Sequence, residues 1–375
     1  MIRGSMPDPA ARSRVVREFV ENLVGASKPL ISVIHPADEM YTYNLAHQRG
    51  HEAAAAMLYY LKGWQIFRAI QGIAAWYFGT PRGVTSFLDF ASGFGRVTRF
   101  LVRELEPARV CVAEIQAEAV AFQREQFGVD GLVSAPDAAR FSERRRFGFV
   151  MATSFFSHVP DPSFRSWIKR LLDCLEPGGV LAFSTNDGEG LARADEGIVF
   201  VADSETDRLD KNVYGTTHVT EAYVRAVIDE AGAGWKVSRW PRGLGGLQDL
   251  YAVGRAEGPG PRSANATYYP WGDTDVYEIR GGRLAAAGWV RTVHMGPPVE
   301  RVDFFANNAL VERCRLEPSG PATARWSFET DLGLLAPDDV LSVRATAGPW
   351  ENFVALASLR THPPSRAEVG SDLQS

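Results

Sequence analysis

Residues 85–101 read TSFLDFASGFGRVTRFL, and this stretch decides the fold. Phe87-Leu88-Asp89-Phe90 is a short apolar run, Ser92-Gly93-Phe94-Gly95 breaks it, and Val97, Phe100 and Leu101 return at helical spacing. Strand, glycine turn and helix in that order present backbone N–H groups at a helix start, and glycines without a Cβ let a ligand approach the main chain. Such a turn suits a nucleotide or nucleoside. A dinucleotide fingerprint places a third glycine where this chain has Thr98, and the strand here closes on an acid, Asp89, which favours a cationic ligand.

Downstream the alternation continues. A second strand over 109–113 ends in Glu114, nineteen residues beyond Gly95, where a carboxylate can accept from ribose hydroxyls. A helix over 117–127 leads to a third strand at 131–134 and then to Asp137-Ala138. The fourth strand, 147–152, opens into Thr153-Ser154-Phe155-Phe156-Ser157-His158-Val159-Pro160. Trp167, Ile168, Leu171, Leu172 and Leu175 form a helix face, and Glu176-Pro177-Gly178-Gly179 turns it into a strand over 180–185 that ends at Asn186 and Asp187. The charged, irregular stretch 188–210 reads as a lid or insertion. Tyr214 and His218 precede Thr220, an N-cap for a helix to about residue 231, and strands over 235–240 and 248–254 complete an antiparallel edge.

With these motifs in order, residues 84–255 resemble the class I S-adenosylmethionine-dependent methyltransferases, whose first motif is acid-x-x-small-Gly-x-Gly and in which the Pro-Gly-Gly turn recurs. The resemblance implies an α/β fold with a Rossmann-like doubly wound sheet and S-adenosylmethionine as cofactor. It implies cofactor contacts from Asp89, Ala91, Gly93, Gly95, Glu114, Ala138 and Thr153, with Asp137 on the adenine amino group. It also places His158 beside the transferable methyl, as a general base or as pocket wall; His218 is the second candidate base, facing substrate or bonding its own loop. Tyr41, Tyr43, Asn186, Asp187 and Tyr214 are the expected substrate-side residues. Two alternatives stay open: a nicotinamide-dependent oxidoreductase, and a non-catalytic binding protein on a methyltransferase scaffold.

Outside this core, residues 1–80 are expected to form an N-terminal helical segment covering the substrate side. Residues 1–5 read as a leader, 10–25 as an amphipathic helix, and 46–78 as a long or broken helical hairpin with Gly63 and Gly72 as breaks. Tyr41, Tyr43 and Asn44 are assigned to a loop before it. His47 and His51, four apart, lack a third ligand at usable spacing, so no metal site is expected. The methyltransferase domain spans 81–256. EGPGPRSAN at 257–265 reads as a linker, 266–362 as a small antiparallel β-sandwich-like domain, and 363–375 as a disordered tail.

Composition narrows the function class. A net charge of −5 with no Lys/Arg-rich run gives no footprint for nucleic acid, so a small-molecule acceptor is expected. Three isolated cysteines, Cys111, Cys174 and Cys314, fit a cytoplasmic protein better than a disulfide framework. No apolar run approaches the roughly 18 to 20 residues of a membrane span. The helical cover and β module favour methyl transfer to a hydroxyl of a saccharide or natural product, with the β domain available for glycan contact or homo-oligomer formation.

Overall fold

The computed structural model describes residues 6–25, 28–80, 83–189, 197–203, 210–256, 269–292 and 296–357. The leader 1–5, the linker 257–265, the tail 363–375 and parts of the expected lid lie outside them. The chain divides into two compact units, 63–267 and 1–62 together with 268–375.

The unit 63–267 is built on one mixed sheet. Its strands are β1 (Phe87–Phe90), β2 (Val110–Glu114), β3 (Asp130–Val133), β4 (Phe147–Ala152), β5 (Leu175–Asp187), β6 (Ile198–Val201), β7 (Thr216–Val219), β8 (Lys236–Leu244) and β9 (Gln248–Gly254). The order β3-β2-β1-β4-β5 is parallel throughout, so the chain reverses direction of progress between β1 and β4, the place where an open α/β sheet forms a crevice at its carboxyl edge. The far edge of β5 is shared: β9 pairs antiparallel along Val180–Thr185, and β7 pairs parallel with Asn186 and Asp187. β5 begins at Leu175, earlier than the expected 180, and a register irregularity between Phe147 and Phe149 accommodates the Pro-Gly-Gly segment. Every residue of β1, β2 and β4 is buried, as strands covered on both faces require. On one face, Phe164, Trp167, Ile168 and Leu171 of α7 (Asp161–Asp173) and Tyr223, Val224 and Ile228 of α8 (Glu221–Ala231) join the core of Val150, Leu181, Phe183 and Tyr251. α5 (Thr98–Glu104) and α6 (Ala117–Phe127) follow β1 and β2.

The other unit contains a two-sheet sandwich. β10 (Trp271–Arg280), β11 (Arg283–Arg291), β15 (Thr323–Asp331) and β14 (Arg315–Pro318) form one antiparallel sheet. β13 (Ala309–Arg313), β12 (Arg301–Ala306), β16 (Leu341–Ala347) and β17 (Trp350–Ala357) form the second. Alternate residues of β11 and β15 turn inward, and Trp326, Phe328, Phe304, Val302 and Val343 fill the space between. The first helices belong to this same unit. α1 (Pro9–Arg12) and α2 (Arg14–Val24) are separated at Ser13, whose hydroxyl accepts from Val16 N at 3.4 Å. Phe19 of α2 stacks on Phe353 of β17 at 5.6 Å between ring centroids.

Three expectations for residues 1–80 are corrected. Tyr41, Tyr43 and Asn44 lie on a helix, α3 (Glu39–His47), capped by Asp38, rather than in a loop. The stretch near 46–78 is neither hairpin nor broken: α4 (Glu52–Phe78) runs through Gly63 and Gly72, and the unit boundary falls inside it, between Lys62 and Gly63. Gly63 is small because a Cβ there would meet Arg96 O at 2.4 Å, which makes it a close-approach position and not a break. His47 and His51 sit on different elements, His47 ending α3 and His51 accepting from Ala54 N ahead of α4.

Candidate active site

The turn after β1 is shaped by backbone conformations that ordinary side chains avoid. Ala91, Gly93 and Gly95 have φ of 56°, 55° and 77°, and the two glycines serve different ends. A Cβ on Gly95 would meet Phe127 Cε2 at 2.3 Å, so this glycine lets α6 pack against the turn. A Cβ on Gly93 would meet nothing within 4 Å; the space over Gly93 is open, as a ligand cradle requires.

Glu114 lies buried at the end of β2 and bonds the turn. One oxygen accepts from Gly93 N at 2.9 Å, the other from Ile115 N at 2.8 Å and Gln116 N at 3.2 Å. The carboxylate therefore holds the turn. Asp89 lies deeper, 2% exposed, with Oδ2 2.7 Å from the Thr98 hydroxyl. Burial pushes its carboxyl up to about 7, with the neighbouring charge of Glu114 adding to the rise and the Thr98 hydrogen bond opposing it. Thr98, which replaces the third glycine, is thus the hydroxyl partner of the strand-ending acid. Gln123 of α6, wholly buried, donates to Ser92 Oγ and to Gly93 O, both at 2.8 Å, and its Oε1 lies 2.8 Å from Thr98 Oγ1. Gln123 is a site residue that the motif reading misses. Its one signal in the sequence is a polar residue standing between Val120 and Phe127 on the inward face of α6.

After β3, Asp137 caps a short 3-10 turn, with Oδ1 accepting from Ala139 N at 2.9 Å, and Ala138 is buried beside it. After β4, Thr153 is half-buried and Ser154 takes φ of 56°. Ser154 N donates to Ser184 Oγ at 2.8 Å, Ser184 donates to Gln248 Oε1 at 2.8 Å, and Gln248 Nε2 donates to Asn186 Oδ1 at 3.2 Å. Asn186 in turn donates to Thr217 O at 3.1 Å, so it is held in a polar chain linking the ends of β4, β5, β9 and β7. Its register neighbour on β7 is His218. Asp187 is engaged elsewhere: it accepts from Glu189 N at 3.0 Å and lies 3.6 Å from Arg239, which also binds Asp249 and Glu221.

His158 is fixed by the segment before β7. Its Nδ1 lies 2.8 Å from Gly215 O, and its ring stacks on Tyr214 at 4.7 Å. A carbonyl oxygen only accepts, so in the neutral ring Nδ1 carries the proton and Nε2 the lone pair. Burial holds its pKa below the ordinary 6.5, against the opposing hydrogen bond to Gly215. The structure thus joins His158 with Tyr214, and His218 with Asn186. Tyr41 is buried edge-on against Tyr59 at 5.9 Å, and Tyr43 lies over His47 at 3.9 Å, both in the unit 1–62 with 268–375. Among the described residues, no group of three or more His, Cys, Asp or Glu is placed to hold a metal, and no helix is long and apolar enough to cross a membrane.

Residues 87–179, from β1 into β5, match the family described as methyltransferase domain. Over this segment the chain carries a methyltransferase domain. S-adenosylmethionine is the cofactor of that family, and the open Gly93 turn with the acid at the end of β2 fits that group. Similar solved structures include a DhpI complex with S-adenosylhomocysteine, 18% identical, covering 59% of this chain and 97% of that one at a TM-score of 0.39. A methyltransferase from Clostridium acetobutylicum is 13% identical over 51% of this chain and 90% of that one, TM-score 0.37. The glycopeptide N-methyltransferase MtfA is 19% identical over 45% and 82%, TM-score 0.33. No curated protein matches the chain in sequence.

Proposed function

We propose that the protein transfers a methyl group from S-adenosylmethionine to a hydroxyl of a saccharide or other natural product, with His158 as general base. The cofactor supplies an electrophilic methyl on a sulfonium, and the chain's task is to align the acceptor with it and remove a proton. In this reading Glu114 takes the ribose, Asp137 and the Ala138 amide take the adenine, and Ala91, Gly93, Gly95 and Thr153 shape the walls. Asn186 and Tyr214 meet the acceptor. The observation that carries the base assignment is the Nδ1 contact of His158 with Gly215 O, which leaves a lone pair on Nε2. An amine or phenolate acceptor needs no such base, whereas a neutral alcohol gains from one. The lowered pKa keeps the ring neutral at pH 7, ready to accept a proton. His218 stands as the alternative base, and the three unpaired, buried cysteines suit action in a reducing compartment such as the cytoplasm.

The test is methyl transfer followed by mass spectrometry on matched panels of hydroxyl and amine acceptors, with His158→Gln and His218→Gln variants. Removing the base lowers turnover by about a hundredfold to ten-thousandfold with little change in cofactor affinity. It also abolishes the loss of rate on acidification below the ordinary histidine range. Methylation of amines alone, or both variants retaining full turnover, overturns the proposal.

A further inference from the structure

The proton count beneath the Gly93 turn does not close for an ionised Asp89. Thr98 Oγ1 lies 2.7 Å from Asp89 Oδ2 and 2.8 Å from Gln123 Oε1, so one hydroxyl faces two acceptors. The Gln123 amide cannot be turned round to relieve this, because its nitrogen is committed to Gly93 O, a carbonyl that only accepts. All three side chains are sealed from water, at 2%, 0% and 0% exposure. With Asp89 ionised, the single Thr98 proton serves one neighbour and leaves two oxygens facing each other across a hydrogen-bond distance. A proton on Asp89 completes the chain: Asp89 donates to Thr98, and Thr98 donates to Gln123. Among the described residues, the surroundings supply no competing cation to the carboxyl. Glu114 approaches from β2 with a like charge, while β4 offers Met151 in register and α6 offers neutral Gln123. Arg99 of α5 points its guanidinium at Gly95 O and over the Phe127 ring.

We propose that the ligand-free protein holds Asp89 as a neutral acid, and that the sulfonium cofactor expels this proton while the neutral thioether product leaves it in place. The site would then discriminate donor from spent product by charge, more strongly as pH rises. On binding, the Asp89 O–H bond breaks, its proton passes to solvent buffer, and the Thr98 hydroxyl turns to the new carboxylate. The inference rests on the S-adenosylmethionine reading of the turn. It also accounts for Thr98 in the third glycine position: a glycine there has no hydroxyl to relay.

Isothermal titration calorimetry in buffers of different ionisation enthalpy, with S-adenosylmethionine and S-adenosylhomocysteine, counts the protons. Below neutrality the sulfonium ligand should release close to one more proton than the thioether, and the ratio of their affinities should climb toward about tenfold per pH unit. Infrared difference spectra provide a second readout: a carboxylic-acid carbonyl band present in the free protein at about pH 6 and lost on adding the sulfonium ligand. Asp89→Asn reproduces the neutral acid, since its amide donates to Thr98, and should flatten the pH dependence of the ratio. Equal proton release by both ligands overturns the stored proton alone. Binding of neither ligand overturns the cofactor reading and this inference with it.

Discussion

Each unit of the molecule buries a charge-bearing group, and they are treated in opposite ways. In the sandwich unit, Arg344 is 9% exposed and surrounded by partners from its own unit: Phe305, Phe353 and Phe19 rings at 4.3, 5.3 and 5.6 Å, Ser342 Oγ at 3.1 Å and Asn308 Oδ1 at 2.8 Å. Glu351, 3.8 Å away, is about half exposed, and burial moves the pair in the unfavourable sense on both sides, Arg344 down and Glu351 up. The rings and neutral hydrogen bonds hold this cation in place more than the ion pair does. In the methyltransferase unit, Asp89 has one hydroxyl partner, shared with Gln123, and a like charge nearby. A buried charge fully partnered by the chain serves the fold; the acid left under-partnered beneath the open turn is the one we propose responds to a ligand.

The largest effect expected from this contrast is a gain. Asp89→Asn should stabilise the protein above neutral pH, because the wild-type acid holds its proton up to about 7 when folded and only to its ordinary 3.8 when unfolded. A group raised in this way weakens the fold progressively as pH climbs between those values and adds no further change above them. The full span is worth at most about 4 kcal/mol. Urea titrations of both proteins at about pH 5 and about pH 8 read it. A gain absent at the higher pH would make Asp89 as settled as Arg344 and end the comparison.

Next is Arg344→Met, which keeps an apolar stem but strands Asn308 Oδ1 and removes the cation from three rings. A loss of about 2 to 3 kcal/mol in denaturant stability follows, with no pH dependence near neutrality and no change in S-adenosylhomocysteine affinity. Altered ligand affinity would show that the cation serves more than its own unit.

Glu114→Ala sharpens the same contrast within the site. It removes the acceptor for Gly93 N together with the proposed ribose contact, and should weaken S-adenosylhomocysteine binding by about 1.5 to 3 kcal/mol, read by calorimetry. Unchanged affinity would leave Glu114 only a brace for the turn.

The smallest stability effect belongs to Gly93→Ala. Its methyl enters open space, so the cost is the strain of φ 55°, about 1 kcal/mol. Cofactor affinity should fall by more than stability does. A loss confined to thermal stability would mean that the space over Gly93 is not the cradle.

Much of this protein is legible in residues that lie close together in the chain. The strand, the glycine turn and helix α5 lie within eighteen residues, and the acids at the strand ends are marked by hydrophobic alternation that the backbone enforces locally. The methyltransferase resemblance and the doubly wound α/β class follow from such units repeated in sequence. What needed the tertiary structure was every decision made by a partner far along the chain. Gln123 locks a turn thirty residues before it, Gly215 O selects the tautomer of His158, and Asp187 is drawn into the Arg239 cluster. Gly63 reads as a break in the sequence because glycine lowers helix propensity, but close approach to Arg96 is a packing requirement that propensity does not encode. Likewise α1 and α2 share a unit with strands some three hundred residues away, because the faces they bury, such as Phe19 on Phe353, are completed only when the chain returns. Local geometry is written locally, whereas burial and proton placement depend on which distant atoms fill the remaining space.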